Sequence, residues 1–236
     1  MSVGGGDILN IHGFQKLTLL DYPSKVACIV FTAGCNFRCR FCHNASLVTH
    51  IDNEAKINER EIFEYLSQRK GILDGVCVTG GEPLLQNDLE KFLDEIKKEG
   101  FSVKIDTNGC YYDKLKSLII NGLVDYVAMD VKNSKEKYLD TVGLDAVDLN
   151  NIENSISLLL DGIVEYEFRT TVAQTLHTVE DIRMISEWIS GARRYFLQNF
   201  VDSGDVICDK LVPVSADTIK RMQLVASKNV NYVAIR

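Results

Sequence analysis

Seven short runs rich in β-branched and aromatic residues alternate with amphipathic stretches of helical period. This alternation constrains the fold more than any other feature of the chain. The runs are Val26–Thr32, Gly75–Thr79, Ser102–Asp106, Tyr126–Asp130, Tyr166–Val172, Tyr195–Phe200 and the short Tyr232–Ile235. Between them the spacing predicts helices over Glu61–Gln68, Asn87–Lys98, Tyr112–Ile120, Ile152–Leu160, Val179–Ile189 and Ala216–Ser227, with Gly100 placed to end the second. Strands and helices alternating at these lengths argue for βαβ units and a parallel sheet. Six units are too many for a small flavodoxin-like domain and two short of an eightfold barrel. The expected fold class is therefore α/β, a partial (β/α)6 TIM-like barrel. Residues 1–10, with Gly4, Gly5 and Gly6 in a row, read as a flexible lead, and residues 11–236 as a single domain without linker or internal repeat.

The unusual residues share one register. Cys35, Cys39 and Cys42 follow the first strand, and Gly80, Gly81, Glu82 and Pro83 the second. Asp106, Thr107, Asn108 and Gly109 end the third, Asp130 and Lys132 the fourth; Arg169 lies in the fifth and Gln198 and Asn199 in the sixth. In barrel-like α/β folds the carboxyl ends of the strands form the active face. Asp130 and Lys132, two apart on one strand, are expected to share a face. Opposite charges there suit a zwitterionic ligand, or form a plain ion pair. Gly80 and Gly81 suit a turn where backbone approaches a ligand closely, or simply a tight βα turn. Glu82 is able to cap the helix that follows. Asp106 and Thr107 have Asx-type turn chemistry with Asn108 and Gly109 as their structural alternative.

Seven cysteines, an odd number, in a chain whose N-terminus lacks a secretory signal point to metal binding or catalysis rather than disulfides. The Cys35-x3-Cys39-x2-Cys42 loop presents three thiolates. With His43 or His50 as a fourth ligand it would suit zinc; alone it would suit an iron–sulfur cubane with one open iron. Buried free thiols are the bland alternative. The specificity of the spacing favours a catalytic cluster. Phe41, inside the triplet, is either core or a cover for the cluster that stacks on a ligand base. Cys28, Cys77 and Cys110 read as core, Cys208 as a loop residue, and His12 and His177 as ordinary polar residues. The net charge of −7, from 26 basic and 33 acidic residues, leaves no general grip on nucleic acid or anionic lipid. The longest apolar run, Val26–Ala33, is too short to span a bilayer. The expected compartment is the cytoplasm.

The run Cys35-Asn-Phe-Arg-Cys39-Arg-Phe41-Cys42 resembles the CxxxCxΦC signature of the radical S-adenosylmethionine (SAM) superfamily, and Gly80-Gly81-Glu82-Pro83 resembles its GGEP motif. With Thr18 to Asn44, Asp106–Gly109 and Asp130–Lys132, most of residues 11–200 resembles glycyl-radical-enzyme activating proteins. The nearest likeness is to the longer form of anaerobic ribonucleoside-triphosphate reductase activating proteins. This resemblance implies that Cys35, Cys39 and Cys42 hold a [4Fe-4S] cluster whose open iron chelates SAM. One electron then cleaves SAM to methionine and a 5′-deoxyadenosyl radical, which takes hydrogen from a glycine of the partner. It implies SAM contacts from Phe41, Gly80, Gly81, Glu82, Asp106, Thr107, Asp130, Lys132 and Arg169, with a monovalent cation at Asp106 and Thr107. The implied partners are a glycyl-radical enzyme, anaerobic ribonucleotide reductase by similarity, and a flavodoxin or ferredoxin as electron donor, with no nucleic acid and no membrane. Related formate-lyase activases carry a histidine near the end of the sixth strand, and Leu197–Phe200 has none. Two rivals remain: radical SAM chemistry on a small molecule or peptide, and a structural zinc or electron-transfer module.

Overall fold

The apolar run after Lys25 becomes a strand because five of six consecutive residues are buried, on both faces of the pleat, as a parallel sheet demands. In a computed structural model describing residues 9–208 and 210–236, this strand is β2 (Ala27–Thr32). It is preceded by β1 (Ile11–Thr18), which pairs with it antiparallel in the register Phe14↔Val30 and Gln15↔Ile29. β1 is an addition to the strands expected from sequence. The remaining strands are β3 (Gly75–Gly80), β4 (Ser102–Thr107), β5 (Tyr126–Asp130), β6 (Glu165–Val172), β7 (Tyr195–Asn199) and β8 (Val233–Ile235). They lie in sequence order in one eight-stranded sheet. The helices are α1 (Ala45–Val48), α2 (Glu59–Gln68), α3 (Leu89–Lys98), α4 (Tyr112–Ile120), α5 (Tyr138–Val142), α6 (Leu149–Leu160), α7 (Val179–Trp188) and α8 (Ala216–Ala226). Six βα units followed by a last strand are what the alternation implies.

The chain divides into two units, each drawn from several segments. The first comprises residues up to Asn36, Ser46–Thr107 and Asp113–Val127. Its parallel pairs run from Ala27↔Gly75 to Thr32↔Gly80 and from Gly75↔Ser102 to Val78↔Ile105. α3 buries Leu89, Phe92, Leu93 and Ile96, the i, i+3, i+4, i+7 stripe of an amphipathic helix. Each such side chain contributes about 1.5–3 kcal/mol through removal from water. Of the lead expected over residues 1–10, the first eight lie outside the described residues; Leu9 is fully buried, and its N–H donates to the Glu59 carboxylate.

The second unit comprises Phe37–Ala45, Asn108–Tyr112 and Ala128–Arg236. Here β6 and β7 pair in parallel from Phe168↔Tyr195 to Val172↔Asn199, and β7 pairs with β8 from Tyr195↔Val233. α7 starts with a capping box: the Thr178 hydroxyl accepts from the Asp181 N–H while the Asp181 carboxylate accepts from the Thr178 N–H. The Arg236 guanidinium holds the buried Glu167 carboxylate through two hydrogen bonds of 2.8 and 3.1 Å. Among the described residues no helix is long and apolar enough to cross a membrane.

Candidate active site

In the first unit, the ends of β2 and β3 are laced backbone to backbone. Gly81 N–H donates to the Thr32 carbonyl and Glu82 N–H to the Gly34 carbonyl, each at 2.8 Å. A Cβ on Gly80, whose φ is +115°, would collide with the Thr32 backbone, and one on Gly81 would collide with the Gly34 carbonyl oxygen. The glycine pair is therefore required by the close approach of two strand-end loops, whatever else it binds. Gly81→Ala is expected to cost about 3 kcal/mol, as core overpacking against rigid backbone does, measured by denaturant unfolding. A loss below about 0.5 kcal/mol, the range of neutral surface changes, would show that this approach is slack.

Glu82 is buried, and its Oε1 accepts from the Leu84 N–H at 3.0 Å and from the Thr107 hydroxyl at 2.8 Å. It caps the turn Pro83–Leu85 and ties the end of β3 to that of β4. Asp106 sits one residue back on β4, where its carboxylate receives the ammonium of Lys104. Lys104 is only 1% exposed, and reading the sequence by motif overlooks it. Its signal is a lysine between two β-branched apolar residues, Val103 and Ile105, two residues before an aspartate. Cys35, at the end of this unit's share of the cysteine loop, is half-buried with its thiol 3.9 Å from Asn36 Oδ1.

In the second unit, the rest of the cysteine loop is anchored by two aromatics. Phe37 and Phe41 are buried, Phe37 edge-on to Tyr138. The loop backbone is stitched to α5 by Arg38 N–H to the Val142 carbonyl at 2.8 Å, and Cys42 N–H turns back to the Cys39 carbonyl at 3.0 Å. Cys39 is buried and Cys42 half-buried. Burial pushes the Cys42 thiol pKa up, and the nearby Lys132 ammonium opposes that. Cys208 N–H donates to the Arg40 carbonyl within the same loop.

Against this loop lies a charged trio. Asp130 Oδ1 accepts from Arg169 Nε at 2.9 Å and Oδ2 from Lys132 Nζ at 3.0 Å. The Lys132 ammonium lies 5.7 Å from the Phe41 ring centroid. Burial alone would raise the Asp130 pKa; Arg169 and Lys132 outweigh it and hold the carboxyl at about 2. Burial disfavours the Lys132 ammonium, but Asp130, with Cys39 adding, carries its pKa well above the ordinary lysine value. β5 ends at Asp130, so Lys132 reaches Asp130 from the loop and not by the strand alternation expected.

The other residues singled out are absorbed by structure. His177 Nδ1 accepts from the Ala173 N–H, which leaves Nε2 to donate to the Lys132 carbonyl at 2.9 Å, so the ring steadies the loop that carries Lys132. Burial lowers its pKa. Asn108 Oδ1 accepts from Cys110 N–H, the Asx turn the sequence allowed. Asn199 spends both ends of its amide on the Val214 backbone. Burial pushes Cys28 and Cys77 up to about 12, as core thiols. His43 stacks on Phe200.

Three thiolates at this spacing fit a cluster in which each ligand meets its own iron. Among the described residues, no group of three or more His, Cys, Asp or Glu is arranged around a single metal ion. Asp106 is a poor ligand for a monovalent cation, because the Lys104 ammonium already lies on its carboxylate.

Residues 29–195 match the family model described as the radical SAM superfamily. A protein of Methanocaldococcus jannaschii that carries the provisional name of glycyl-radical enzyme activating enzyme is 32% identical over 233 residues, covering 96% of this chain and 95% of that one. The pyruvate formate-lyase-activating enzyme of Staphylococcus aureus is 36% identical over 110 residues, 44% of this chain and 43% of that one. Among solved structures, Streptococcus suis SuiB bound to S-adenosylmethionine has a TM-score of 0.66 at 16% identity, covering 88% of this chain and 51% of that one. QueE from Escherichia coli has a TM-score of 0.56 at 17% identity, covering 97% and 93%. These likenesses show the fold class, the radical SAM type that the strand–helix alternation and the cysteine motif imply.

Proposed function

Because the chain belongs to the radical S-adenosylmethionine superfamily and to its family of glycyl-radical-enzyme activating enzymes, we propose that it installs a glycyl radical on anaerobic ribonucleotide reductase in the cytoplasm, drawing electrons from a flavodoxin or ferredoxin. Members of the superfamily use a [4Fe-4S] cluster and SAM. Cys35, Cys39 and Cys42 are the thiolates that would hold the cluster. When bound, the cluster supplies the low-potential electron that turns SAM into a hydrogen-abstracting 5′-deoxyadenosyl group.

The observation that carries this reading is the half-buried trio of Asp130, Lys132 and Arg169. Two cations share one carboxylate, so Lys132, Arg169 and Asp130 together carry a net positive charge. A zwitterion with a carboxylate and an ammonium matches that arrangement: its carboxylate meets the surplus cation and its ammonium meets the carboxylate. Phe41, whose ring lies beside the Lys132 ammonium, is the residue that would stack on the adenine. The resemblance assigns further SAM contacts to Gly80, Gly81, Glu82, Asp106 and Thr107, the strand-end residues of the first unit. Water exclusion matters here, because charge–charge contacts weaken as the local dielectric rises.

The test uses anaerobically reconstituted protein, SAM, a chemical reductant and the candidate reductase, with its glycine loop deuterated at Cα. Deuterium is expected to appear in 5′-deoxyadenosine as a glycyl radical signal grows in electron paramagnetic resonance. Transfer from a small molecule but from none of the glycyl-radical enzymes of the same cell would sink the proposal.

A further inference from the structure

A lysine with 1% of its surface exposed is costly unless a carboxylate answers it. Lys104 lies in β4 between Val103 and Ile105, both fully buried, and directly across from Cys77 on β3. Its ammonium reaches Asp106, the next residue on the same face of β4. Asp106 is followed by Thr107, whose hydroxyl is committed to Glu82. So the position where the resemblance implies a monovalent cation already carries a covalently tethered one. A primary ammonium is a compact monocation that donates three hydrogen bonds, which is much of what a hydrated alkali ion offers a carboxylate. The tethered ammonium already neutralises the carboxylate, so a second cation would gain little from it and would lie close to the first.

We propose that the Lys104 ammonium replaces the monovalent cation at Asp106, so that this chain binds SAM without K⁺ or Na⁺. The inference rests on the reading of Asp106 as support for SAM given above. It goes beyond that reading by naming a positioning residue and by removing a cofactor from the site. Lys104 acts through Asp106 and need not touch SAM: it fixes the carboxylate's rotamer and cancels its charge, so that the carboxylate end of SAM does not face an uncompensated anion.

Two experiments test this, run in KCl, NaCl and tetramethylammonium chloride at equal ionic strength. The first is thermal unfolding of the cluster-free chain. A bound ion would raise the midpoint in proportion to the logarithm of its concentration, and no such rise is expected with K⁺ or Na⁺. The second is equilibrium binding of SAM to the reconstituted protein, where affinities are expected to agree within about twofold across the three salts, roughly 0.4 kcal/mol. Lys104→Met is expected to bind SAM about tenfold more weakly in tetramethylammonium and to recover in KCl, because the freed carboxylate then accepts the ion. Lys104→Arg keeps the charge and should stay salt-indifferent if Lys104→Met does not fold. A wild-type chain stabilised by K⁺ or Na⁺, or one whose SAM affinity collapses without them, overturns the proposal. So does Lys104→Met binding as tightly as wild type in tetramethylammonium. If Asp106→Asn leaves SAM affinity unchanged, the reading of Asp106 at the SAM site fails instead, while the unfolding experiment still decides whether an ion binds there.

Discussion

Cys35→Ala, Cys39→Ala and Cys42→Ala each reduce bound iron and sulfide to background and abolish SAM cleavage. The expectation follows from the proposed three-thiolate set and from the state of the other thiols. A thiol must lose its proton to ligate iron. Cys28 and Cys77 are buried inside β2 and β3, where burial pushes their pKa up to about 12 and disfavours the thiolate that a ligand needs. Cys77→Ala and Cys110→Ala are accordingly expected to keep the cluster at about four irons per chain and to lose on the order of 1 kcal/mol of stability. Iron and sulfide analysis with the visible absorption of anaerobically prepared variants decides the matter. Near-wild-type iron in any one of the first three would remove that residue from the ligand set.

Asp130→Ala is expected to do two kinds of damage at once. It strands Lys132 and Arg169, whose side chains are 15% and 12% exposed, without their shared carboxylate. Removing one partner of a buried ion pair typically costs about 3–5 kcal/mol. It should also weaken SAM binding at least about tenfold, roughly 1.4 kcal/mol, while the cluster still assembles. The pH dependence separates Asp130 from its neighbours. Its folded pKa is depressed to about 2 from an ordinary 3.8, so its stabilisation is complete above about pH 4 and disappears as the pH falls through 2. The stability lost across that window is on the order of 2 kcal/mol. Asp130→Asn should flatten that limb of the acid unfolding profile. If both variants retain SAM affinity, the trio is a structural ion network and nothing more.

How far the sequence could be read depended on what each residue answers to. Strands β2, β3 and β5 are legible because burial on both faces forces apolar, β-branched runs, and α3 because its stripe repeats every three to four residues. β1 was missed because its pairing partner writes little into its own residues: as an edge strand, it leaves Gln15, Lys16 and Leu17 exposed and begins with a bulge at Gly13. Strand alternation puts Lys132 beside Asp130, but β5 ends at Asp130 and a loop held by His177 brings the lysine there. The glycine pair shows the limit of motif reading, since loop-to-loop packing explains both residues before any ligand is considered. Lys104 was invisible to motif reading because it is an ion pair internal to one strand, and only burial shows what it costs to leave it unpaired.

The interleaving of the two units has a consequence for how the protein is made. Neither unit is a continuous stretch of chain: the first takes its last segment from Asp113–Val127, and the second begins at Phe37 and needs residues through Arg236. Domains that are contiguous in sequence can fold one after another as they leave the ribosome. Here the nascent chain emits the opening of the second unit before the first is complete, and must hold it unsatisfied while most of the molecule is still being synthesised. Long-range pairings of this kind slow folding. A truncation before Val127 would leave both units incomplete, and one beyond it the second alone, so limited proteolysis should release no fragment that holds a whole second unit, and a split version of the protein would have to bring that unit's segments back together.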